Sequence, residues 1–308
     1  MSDARISVVL CTYNGSAFID EQIASITAQE YAPYEIIIQD DRSTDDTWDK
    51  LQRWQQKDER IRLFRNAENL GYNRNFELAM KLATGDFIAI SDQDDIWLPK
   101  KLGSLLQAFT GDDIVLAHNR SVRLENGELD YKKSKLQHHF SGDDTRKLLF
   151  FNQIMGHDML FRQSLVQHIL PIPAGMSYDW WIAVVATCYG RVVSVEDYLV
   201  YHRIHGNNNY FSKTAASKKK ELDLDATLRL FYTIPALKPA VKTYLSTLLN
   251  LLEQKQHQPG FSRPFFFFLY RNRKTIFGHK RRLFPEISYL KNSIKYAKLD
   301  FKGKGITF

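Results

Sequence analysis

The chain has 308 residues, of which 44% are hydrophobic and 25% charged, a composition that is typical of a soluble globular protein and excludes a disordered or fibrous one. No stretch approaches the ~20 apolar residues that cross a bilayer, and the first residues lack the apolar run of a secretory signal. The two cysteines, Cys11 and Cys188, argue against a disulfide framework. Together these features predict a cytoplasmic protein.

The net charge of +7 is unevenly distributed along the chain. Residues 1–210 contain 22 lysines and arginines against 29 aspartates and glutamates, whereas residues 211–308 contain 20 against 6. The first part therefore carries a balance of −7 and the second a balance of +14. We interpret residues 1–210 as an acidic body and residues 211–308 as a basic appendage that needs an anionic partner.

Strands alternate with helices through the first hundred residues. Short apolar runs predict buried strands at 6–11, 35–39, 61–64 and 87–90. Apolar side chains at helical spacing predict a helix after each of the first three strands. This alternation is typical of an α/β fold with a Rossmann-like, mostly parallel sheet flanked by helices.

Two local signals predict helix boundaries. Ser43 and Asp46 have the spacing of a capping box at the start of the helix that contains Trp48. Gly85 is expected to end the third helix, because glycine commonly follows the last helical residue. Both signals agree with the predicted alternation.

Polar segments follow the strands at the edge where a parallel sheet binds ligands. Residues 12–15 follow the first strand, 40–43 the second and 91–95 the fourth, and a polar loop spans 66–75. Tyr13 offers an aromatic face for a base, and an aspartate after the second strand can accept the imide N–H of a uracil or thymine. Taken singly, residues 12–15 are equally well explained as a turn, and residues 40–43 as a helix cap. Their coincidence at one sheet edge favours a nucleotide site.

The segment 91–97 concentrates three carboxylates directly after the fourth strand. If the alternation of the strand continues, Asp92 and Asp94 face the same side, where carboxylates repel one another unless a cation neutralises them. Oxygen ligands suit Mg²⁺ or Mn²⁺, which usually completes its shell with phosphate oxygens and water. The alternative is an acidic solvated turn before a helix that starts near Pro99.

These segments together resemble the N-terminal half of glycosyltransferase family 2. The resemblance lies in residues 7–15, 40–47, 69–71 and 85–97, and with the later segments it covers about two thirds of the chain. It implies the GT-A fold, with a mixed but mostly parallel sheet, and the family's metal-binding Asp-x-Asp motif. Within the family, the sequence Ser-Asp-Gln-Asp-Asp-Ile-Trp resembles bacterial rhamnosyltransferases of surface-polysaccharide assembly.

The resemblance implies a role for each polar group of the predicted site. Asp94 is expected to be the chief metal ligand, with Asp92 and His205 as further ligands. Either Asp40 or Asp41 is expected to contact the base, and the sequence does not choose between them. The candidate nucleotide contacts are Thr12, Tyr13, Asn14, Asp40, Asp41, Asn73, Arg74, Asp92 and Arg203.

The middle of the chain is expected to supply the sugar and acceptor side. Residues 154–161 resemble the family's glycine-bearing strand beside the donor sugar, but many relatives carry a small residue where His157 stands. Asp179 resembles the catalytic base, which takes the proton of the acceptor hydroxyl in a single displacement that inverts the anomeric carbon. The alternative for Asp179 is a helix cap, and one of the two following tryptophans is expected in the core. The candidate sugar contacts are Trp97, Gly156, His157, Trp180 and Trp181.

A further motif lies at residues 201–208, after a strand predicted at 192–200. It resembles the family's Tyr-Arg-x-His-Gly-x-Asn segment. Arg203 could pair with a diphosphate, and His205 could bind metal or phosphate. The alternative for His205 is a solvated histidine in a Gly-Asn loop.

Residues 211–308 are predicted to form helices rich in cations and aromatic residues. One helical stretch opens with the lysines 218–220, a second follows Pro239, and residues 263–274 and 280–282 bring arginines and lysines next to a run of phenylalanines. Such a mixture suits the interface of an anionic bilayer. The alternative is a helical cap on the catalytic core, and both roles are compatible. No motif supports nucleic-acid binding.

We therefore expect a metal-dependent inverting glycosyltransferase, peripheral on the inner face of a bacterial cytoplasmic membrane. Residues 1–98 are expected to bind the nucleotide-sugar and residues 99–210 the acceptor. By resemblance, the expected donor is dTDP-L-rhamnose and the acceptor a polyprenyl-diphosphate-linked glycan. A UDP- or GDP-sugar donor is the nearest alternative. A non-catalytic sugar-nucleotide-binding or scaffold subunit is an alternative of another class.

Overall fold

The computed structural model describes residues 4–134, 139–206, 223–258, 260–279 and 283–299. Predictions at 207–208, at the lysines 218–220 and at 280–282 lie outside these residues. The strands are β1 (Ile6–Thr12), β2 (Glu35–Asp40), β3 (Ile61–Arg65), β4 (Phe87–Ser91), β5 (Ile96–Trp97), β6 (Ile114–Glu125), β7 (Glu128–Asp130), β8 (Met159–Arg162) and β9 (Arg191–Ile204). The helices are α1 (Ile19–Thr27), α2 (Thr47–Lys57), α3 (Tyr72–Leu82), α4 (Lys101–Gln107), α5 (Tyr131–Ser134), α6 (Val166–Ile169), α7 (Tyr178–Tyr189), α8 (Leu224–Tyr232), α9 (Pro239–His257), α10 (Arg263–Arg271), α11 (Arg273–Phe277) and α12 (Pro285–Lys298).

One mixed sheet runs through the described residues in the order β3-β2-β1-β4-β8-β6-β9-β5, with β7 paired to β6. The strands β1 to β4 pair in parallel, β8 lies antiparallel between β4 and β6, and β9 runs parallel to β6. Each of the first four predicted strands is confirmed and is one residue longer at its carboxyl end. All residues of β1 and β2 are buried, because helices cover both faces of the sheet.

Alternate residues of the central strands point into two separate cores. On one face, Val8 and Leu10 of β1 pack with α1, α2 and α4. On the other face, Val9 packs in a cluster that contains α3, α7 and the buried side chains of α8 to α12. The C-terminal helices therefore share a core with α7, and the predicted packing of a helical cap is confirmed for these buried residues.

The helix starts in the C-terminal part follow signals in the sequence. α9 and α12 begin at Pro239 and Pro285, because the fixed φ of proline suits the first helical position. The side chains of Asp223 and Ser262 cap α8 and α10 by accepting hydrogen bonds from backbone N–H groups. Among the described residues, no helix combines the length and apolar character needed to cross a bilayer.

Two predicted boundaries are wrong. The capping box does not form, because the Ser43 hydroxyl donates to Asp40 and the start of α2 is held instead by Asp45, whose Oδ1 accepts from Thr47 N at 3.0 Å. α3 ends at Leu82, before Gly85. An added Cβ at Gly85 would lie 2.7 Å from the carbonyl oxygen of Arg5, so this glycine permits a close approach of two backbones.

Candidate active site

The loops after β1, β2 and β4 meet at the carboxyl edge of the sheet. Tyr13 N donates to Gln93 Oε1 at 2.8 Å, and Gln93 Nε2 donates back to Tyr13 O at 3.1 Å. Asn14, in the left-handed region with φ of 49°, accepts from Thr44 N at 2.8 Å. An added Cβ at Gly15 would overlap the end of the Gln93 side chain, which would have to move. These contacts join the three loops into one surface.

The two aspartates after β2 have different environments. Asp40 is fully buried: its Oδ1 accepts from Thr12 Oγ1 at 2.9 Å and from the Ser43 hydroxyl, and its Oδ2 accepts from Ser43 N at 2.9 Å. Thr12 is buried beside it. The side chains of Thr12 and Asp40 bond to each other inside the loop, and their nucleotide contacts stay predictions.

Asp41 organises the polar loop 66–75. Its Oδ1 accepts from Asn66 Nδ2 at 2.7 Å and Leu70 N at 2.8 Å, and its Oδ2 accepts from Gly71 N at 2.8 Å. A carboxylate has about four acceptor positions, so Oδ2 keeps the capacity for one more hydrogen bond. Asp41 is therefore the aspartate of this pair that can still accept an N–H from a ligand.

The acidic residues after β4 do not continue the strand. β4 ends at Ser91, and residues 92–95 bend before β5. Asp92 Oδ2 lies 3.1 Å from His157 Nδ1, whereas Asp94 Oδ2 lies 2.8 Å from His205 Nε2. The predicted strand-like alternation is wrong, and each carboxylate contacts a different histidine.

His157 is a buried cation beneath this acidic loop. Its Nδ1 lies 3.1 Å from Asp92 Oδ2 and 3.2 Å from Asp95 Oδ2, and its Nε2 lies 3.7 Å from Asp158 Oδ1. Burial opposes a charge here, but Asp95, Asp158 and Asp92 outweigh it and raise the pKa of His157 to about 10. His157 is buried among carboxylates, and its contact with a sugar stays a prediction.

Lys101 supports His157 from the opposite side. Its Nζ donates to His157 O at 2.6 Å and lies 3.2 Å from the centroid of the Trp97 ring. Burial lowers the pKa of Lys101 to about 7. Trp97 is itself buried under this lysine, and its sugar contact stays a prediction.

Of the predicted metal ligands, Asp94 and His205 contact each other, whereas Asp92 contacts His157, and metal binding by Asp92, Asp94 and His205 stays a prediction. Burial and repulsion from Asp95 and Asp92 raise the pKa of Asp94 to about 6, which is the effect of crowded carboxylates. Carboxylates with one imidazole suit Mn²⁺, and carboxylates with water suit Mg²⁺. Ligand atoms of Asp95, His157 and His202 also lie within 4.8 Å of one another in the described residues.

Tyr178 links the acidic loop to the start of α7. Its hydroxyl donates to Asp92 Oδ1 at 3.3 Å, and its N–H donates to Asn73 Oδ1 at 3.0 Å. An added Cβ at Gly156 would overlap the Tyr178 hydroxyl, so Gly156 makes room for this link. Asn73 also donates to Met176 O at 2.6 Å, and its amide joins α3 to α7. The sugar contact of Gly156 and the nucleotide contact of Asn73 stay predictions.

Asp179 lies in the first turn of α7, beside Tyr178. Its Oδ2 accepts from Asn152 Nδ2 at 2.8 Å, and its Oδ1 accepts from the Ser177 hydroxyl and from Trp180 N. Burial raises the pKa of Asp179, which brings the carboxylate closer to the range of an effective base at neutral pH. Ser177 precedes the first helical residue, so Asp179 is not the cap residue of the alternative interpretation.

Trp180 and Trp181 both lie in the core. Their indole N–H groups donate to Leu148 O at 2.6 Å and to Ile169 O at 2.7 Å. Both rings pack against Phe231 of α8. Nearly every side of α7 is covered, and the sugar contacts of these tryptophans stay predictions.

Two predicted phosphate-binding cations have protein partners. Arg203, near the end of β9, donates from its backbone N to Asp95 Oδ1 at 3.1 Å and from Nε to Asp94 O at 3.0 Å, so it holds the acidic loop. Arg74 lies in the first turn of α3 and pairs with Glu77. The nucleotide contacts of Arg203 and Arg74 stay predictions.

Sequence reasoning missed four residues that build this site: Gln93, Lys101, Asp158 and Tyr178. Gln93 stands inside the acidic motif and Tyr178 directly before Asp179, so a closer look at motif neighbours could have found both. Lys101 and Asp158 carry no local signal, because their roles depend on burial beside distant carboxylates.

The sequence matches the family model described as Glycosyl transferase family 2 over residues 7–170. It is 26% identical over 237 residues to an uncharacterized glycosyltransferase of Nostoc sp., covering 73% of each chain. It is 31% identical over 129 residues to WfgD of Escherichia coli, a UDP-Glc:alpha-D-GlcNAc-diphosphoundecaprenol beta-1,3-glucosyltransferase, covering 42% of this chain and 50% of that one.

The fold is similar to that of S. aureus TarS 1-349 in complex with UDP-GlcNAc. The TM-score is 0.63 at 15% sequence identity, and the likeness covers 94% of this chain and 90% of TarS 1-349. The fold is GT-A, as expected, with the mixed sheet and flanking helices described above.

Proposed function

The chain belongs to glycosyltransferase family 2, and we propose that it transfers a hexose from a nucleoside diphosphate to a lipid-linked glycan with inversion at the anomeric carbon. The observation that carries the proposal is the position of Asp92 and Asp94 at the edge where the loops of Tyr13 and Asp41 also meet. Tyr178 connects Asp92 with the neighbouring Asp179. Donor, metal and base are thereby assigned to one continuous site.

In this proposal, residues 1–98 bind the donor. Tyr13 is 46% exposed and offers its ring to the base, while Asp41 Oδ2 accepts the base N–H. Asn14 fixes the loop that carries Tyr13. Arg74 is half exposed in the first turn of α3 and can turn from Glu77 towards a diphosphate oxygen.

A divalent cation held by Asp92, Asp94 and His205 would neutralise negative charge on the departing diphosphate. The protein would contribute by holding these three side chains in place. Arg203 fixes the backbone of Asp94, and His157 fixes the carboxylate of Asp92. These contacts reduce the reorganisation that binding requires.

Residues 99–210 are assigned to the acceptor. Asp179 takes the proton of the attacking hydroxyl, and Asn152 orients its carboxylate through Oδ2. General-base assistance of this kind contributes ~10²–10⁴-fold to the rate. One base and one displacement lead to inversion.

The relative in Escherichia coli is named for a UDP-glucose donor and a diphosphoundecaprenol acceptor. This supports a polyprenyl-diphosphate-linked acceptor, with residues 211–308 at an anionic membrane surface. It also raises a UDP-sugar to the first alternative beside dTDP-L-rhamnose, which rests on the motif Ser-Asp-Gln-Asp-Asp-Ile-Trp. A GDP-sugar is the third donor to test.

The experiment is thermal unfolding with dTDP, UDP or GDP, each with and without Mn²⁺. A ligand that binds only the folded state raises the Tm by mass action. The proposal expects a metal-dependent rise, largest with dTDP for a rhamnosyl donor and with UDP for a glucosyl donor. No rise with any nucleotide would contradict it. Nucleotide binding without transfer to any polyprenyl-linked acceptor would favour the non-catalytic subunit.

A further inference from the structure

Helix α12 has two apolar faces, and one of them is exposed. Tyr289 and Tyr296 lie on the buried face, where the Tyr296 ring stacks on Phe277 at 5.7 Å between centroids. Ile287, Leu290 and Ile294 lie on the opposite face at spacings of three and four residues. Ile287 is 55% exposed and Leu290 is 40% exposed. Packing within the part of the chain that the structure describes therefore does not account for the second face.

The exposed face continues at both ends of the helix. Leu283 and Phe284, directly before α12, are 87% and 65% exposed. Lys291 and Lys298 are exposed on the same side, because they stand four and eleven residues after Ile287. We call Leu283, Phe284, Ile287, Leu290, Lys291, Ile294 and Lys298 the outer stripe. Apolar residues with long cations among them are the pattern of a helix that lies in the plane of a membrane interface.

The neighbouring helix α10 has the same character. Phe267 is 55% exposed, and Arg263 and Arg271 stand four residues before and after it on the exposed face. α10 packs directly against α12. Residues 260–299 contain ten lysines and arginines but a single acidic residue, Glu286. Two adjacent helices therefore combine exposed apolar groups with an almost uniform positive charge.

This positive charge decides whether the outer stripe contacts a bilayer or a second copy of the chain. In a symmetric dimer the same surface faces its own copy, so the cations of both copies would be brought together. Like charges across an interface are unfavourable. An anionic bilayer accepts both the apolar side chains and the cations. Charge complementarity thus favours lipid over a second copy of the chain.

The outer stripe also lies near the acceptor side. The ring of His279 stacks on Phe151 with 3.9 Å between centroids, and the next residue, Asn152, donates to Asp179. Leu283 follows His279 by four residues, which span at most about 14 Å. The outer stripe therefore begins within that reach of His279, which stacks on Phe151, the residue before Asn152.

We propose that the outer stripe lies in the interface of an anionic membrane and presents Asp179 to an acceptor whose lipid stays in the bilayer. The first half of this proposal depends only on the surface of α10 and α12. The second half rests on the proposed function of Asp179. In this arrangement the sugar of the acceptor meets the base, and its polyprenyl chain remains in lipid.

The test is flotation of the full chain with vesicles of phosphatidylcholine alone or with phosphatidylglycerol added. The wild type is expected to bind the anionic vesicles and to be released by salt. Ile287→Gln with Leu290→Gln should lower binding at least tenfold, because both side chains lose the apolar contact. Lys291→Gln and Lys298→Gln should each lower binding about fivefold. The matched control is Leu129→Gln with Tyr232→Gln, two exposed residues outside the outer stripe.

Several outcomes would overturn the proposal. In the first, the wild type does not bind anionic vesicles. In the second, the Ile287→Gln, Leu290→Gln variant binds as well as the wild type. In the third, the control loses as much binding as that variant. A change of oligomeric state in that variant, measured by sedimentation, would assign the outer stripe to a protein interface instead. Salt-sensitive retention on DNA but not on vesicles would assign it to nucleic acid. The substituted side chains are exposed, so an unchanged Tm is expected and confirms that the variants fold.

The proposed presentation of Asp179 is tested by sugar transfer to two acceptors. One has a long polyprenyl chain in vesicles, and the other has a short water-soluble lipid. The Ile287→Gln, Leu290→Gln variant should lose activity only on the membrane-bound acceptor. Equal activity on both would overturn the presentation of Asp179 from the membrane. Absence of nucleotide-dependent stabilisation in the wild type would instead contradict the proposed function and leave the vesicle result standing.

Discussion

The Nδ1 atom of His157 lies 3.1 Å from Oδ2 of Asp92, so the acidic loop contains a cation supplied by the protein. The same nitrogen lies 3.2 Å from Asp95. His157 thereby neutralises part of the charge that the family motif brings together. Asp94 is left with its partner His205 on the other side of the loop.

Replacement of His157 by glutamine should destabilise the protein most when no metal is present. The change leaves the carboxylates of Asp92, Asp95 and Asp158 without their buried counter-charge, which costs about 3–5 kcal/mol. Mn²⁺ at Asp92 and Asp94 should restore part of this loss. The measurement is urea unfolding of both proteins in EDTA and in Mn²⁺. An equal loss under the two conditions would show that His157 does not share its role with the metal.

Asp94→Asn should remove metal-dependent turnover. The substitution keeps the shape of the side chain but takes away the charge of the chief metal ligand. The check is the initial rate of transfer over a series of Mn²⁺ concentrations. Asp112→Asn is a suitable control, because its carboxylate is fully exposed and lies outside the loop. If Asp94→Asn keeps full activity, another residue must hold the metal.

Asp179→Asn should slow transfer by ~10²–10⁴-fold and leave nucleotide binding unchanged. The asparagine Oδ1 can still accept from Trp180 N, but its Nδ2 cannot accept from Asn152, so an unchanged Tm without nucleotide is needed to show that α7 stays folded. Single-turnover rates report the chemical step, and the Tm shift with nucleotide reports binding. A parallel fall in both would make Asp179 a structural residue and not the base.

Gly15→Ala should weaken nucleotide binding about tenfold. The new Cβ displaces the Gln93 side chain and breaks its two hydrogen bonds with Tyr13, each worth about 1 kcal/mol. Gln93→Ala should have a similar effect, and the double variant should be no worse than either. Titration with nucleotide measures all three. Additive losses would mean that Gly15 and Gln93 act separately.

Glu35→Gln should lower stability at pH 7 by about 2 kcal/mol and have little effect in acid. Burial alone would raise the pKa of the Glu35 carboxyl, but hydrogen bonds from Ser7, Thr84 and Arg62 outweigh it and lower the pKa from 4.5. A carboxyl with a lowered folded pKa stabilises the fold above its unfolded value and loses that contribution as pH falls through the folded pKa. Unfolding at a series of pH values should show the two proteins converging below pH 4.5. A constant difference would contradict this assignment.

The strands were predictable because each is a short apolar run whose burial depends little on its neighbours. Asp92, Asp94 and Asp179 were predictable as candidates because they stand in short motifs. The burial of Asp40 and Trp180 was not predictable, since a motif gives residue type and order but not which atoms stay exposed after folding. The contact of Lys101 with His157 could not be predicted either, because the two residues are 56 positions apart in the sequence.

The packing of Trp181 against Phe231 has a consequence for synthesis on the ribosome. Fifty residues separate Trp181 from Phe231 in the sequence. At ~5–20 residues per second, the ribosome therefore adds Phe231 roughly 3 to 10 seconds after Trp181. During that interval the apolar face of α7 is exposed to the cell. A nascent chain that stalls before α8 would present this face to chaperones and proteases, and the sheet alone would not protect it.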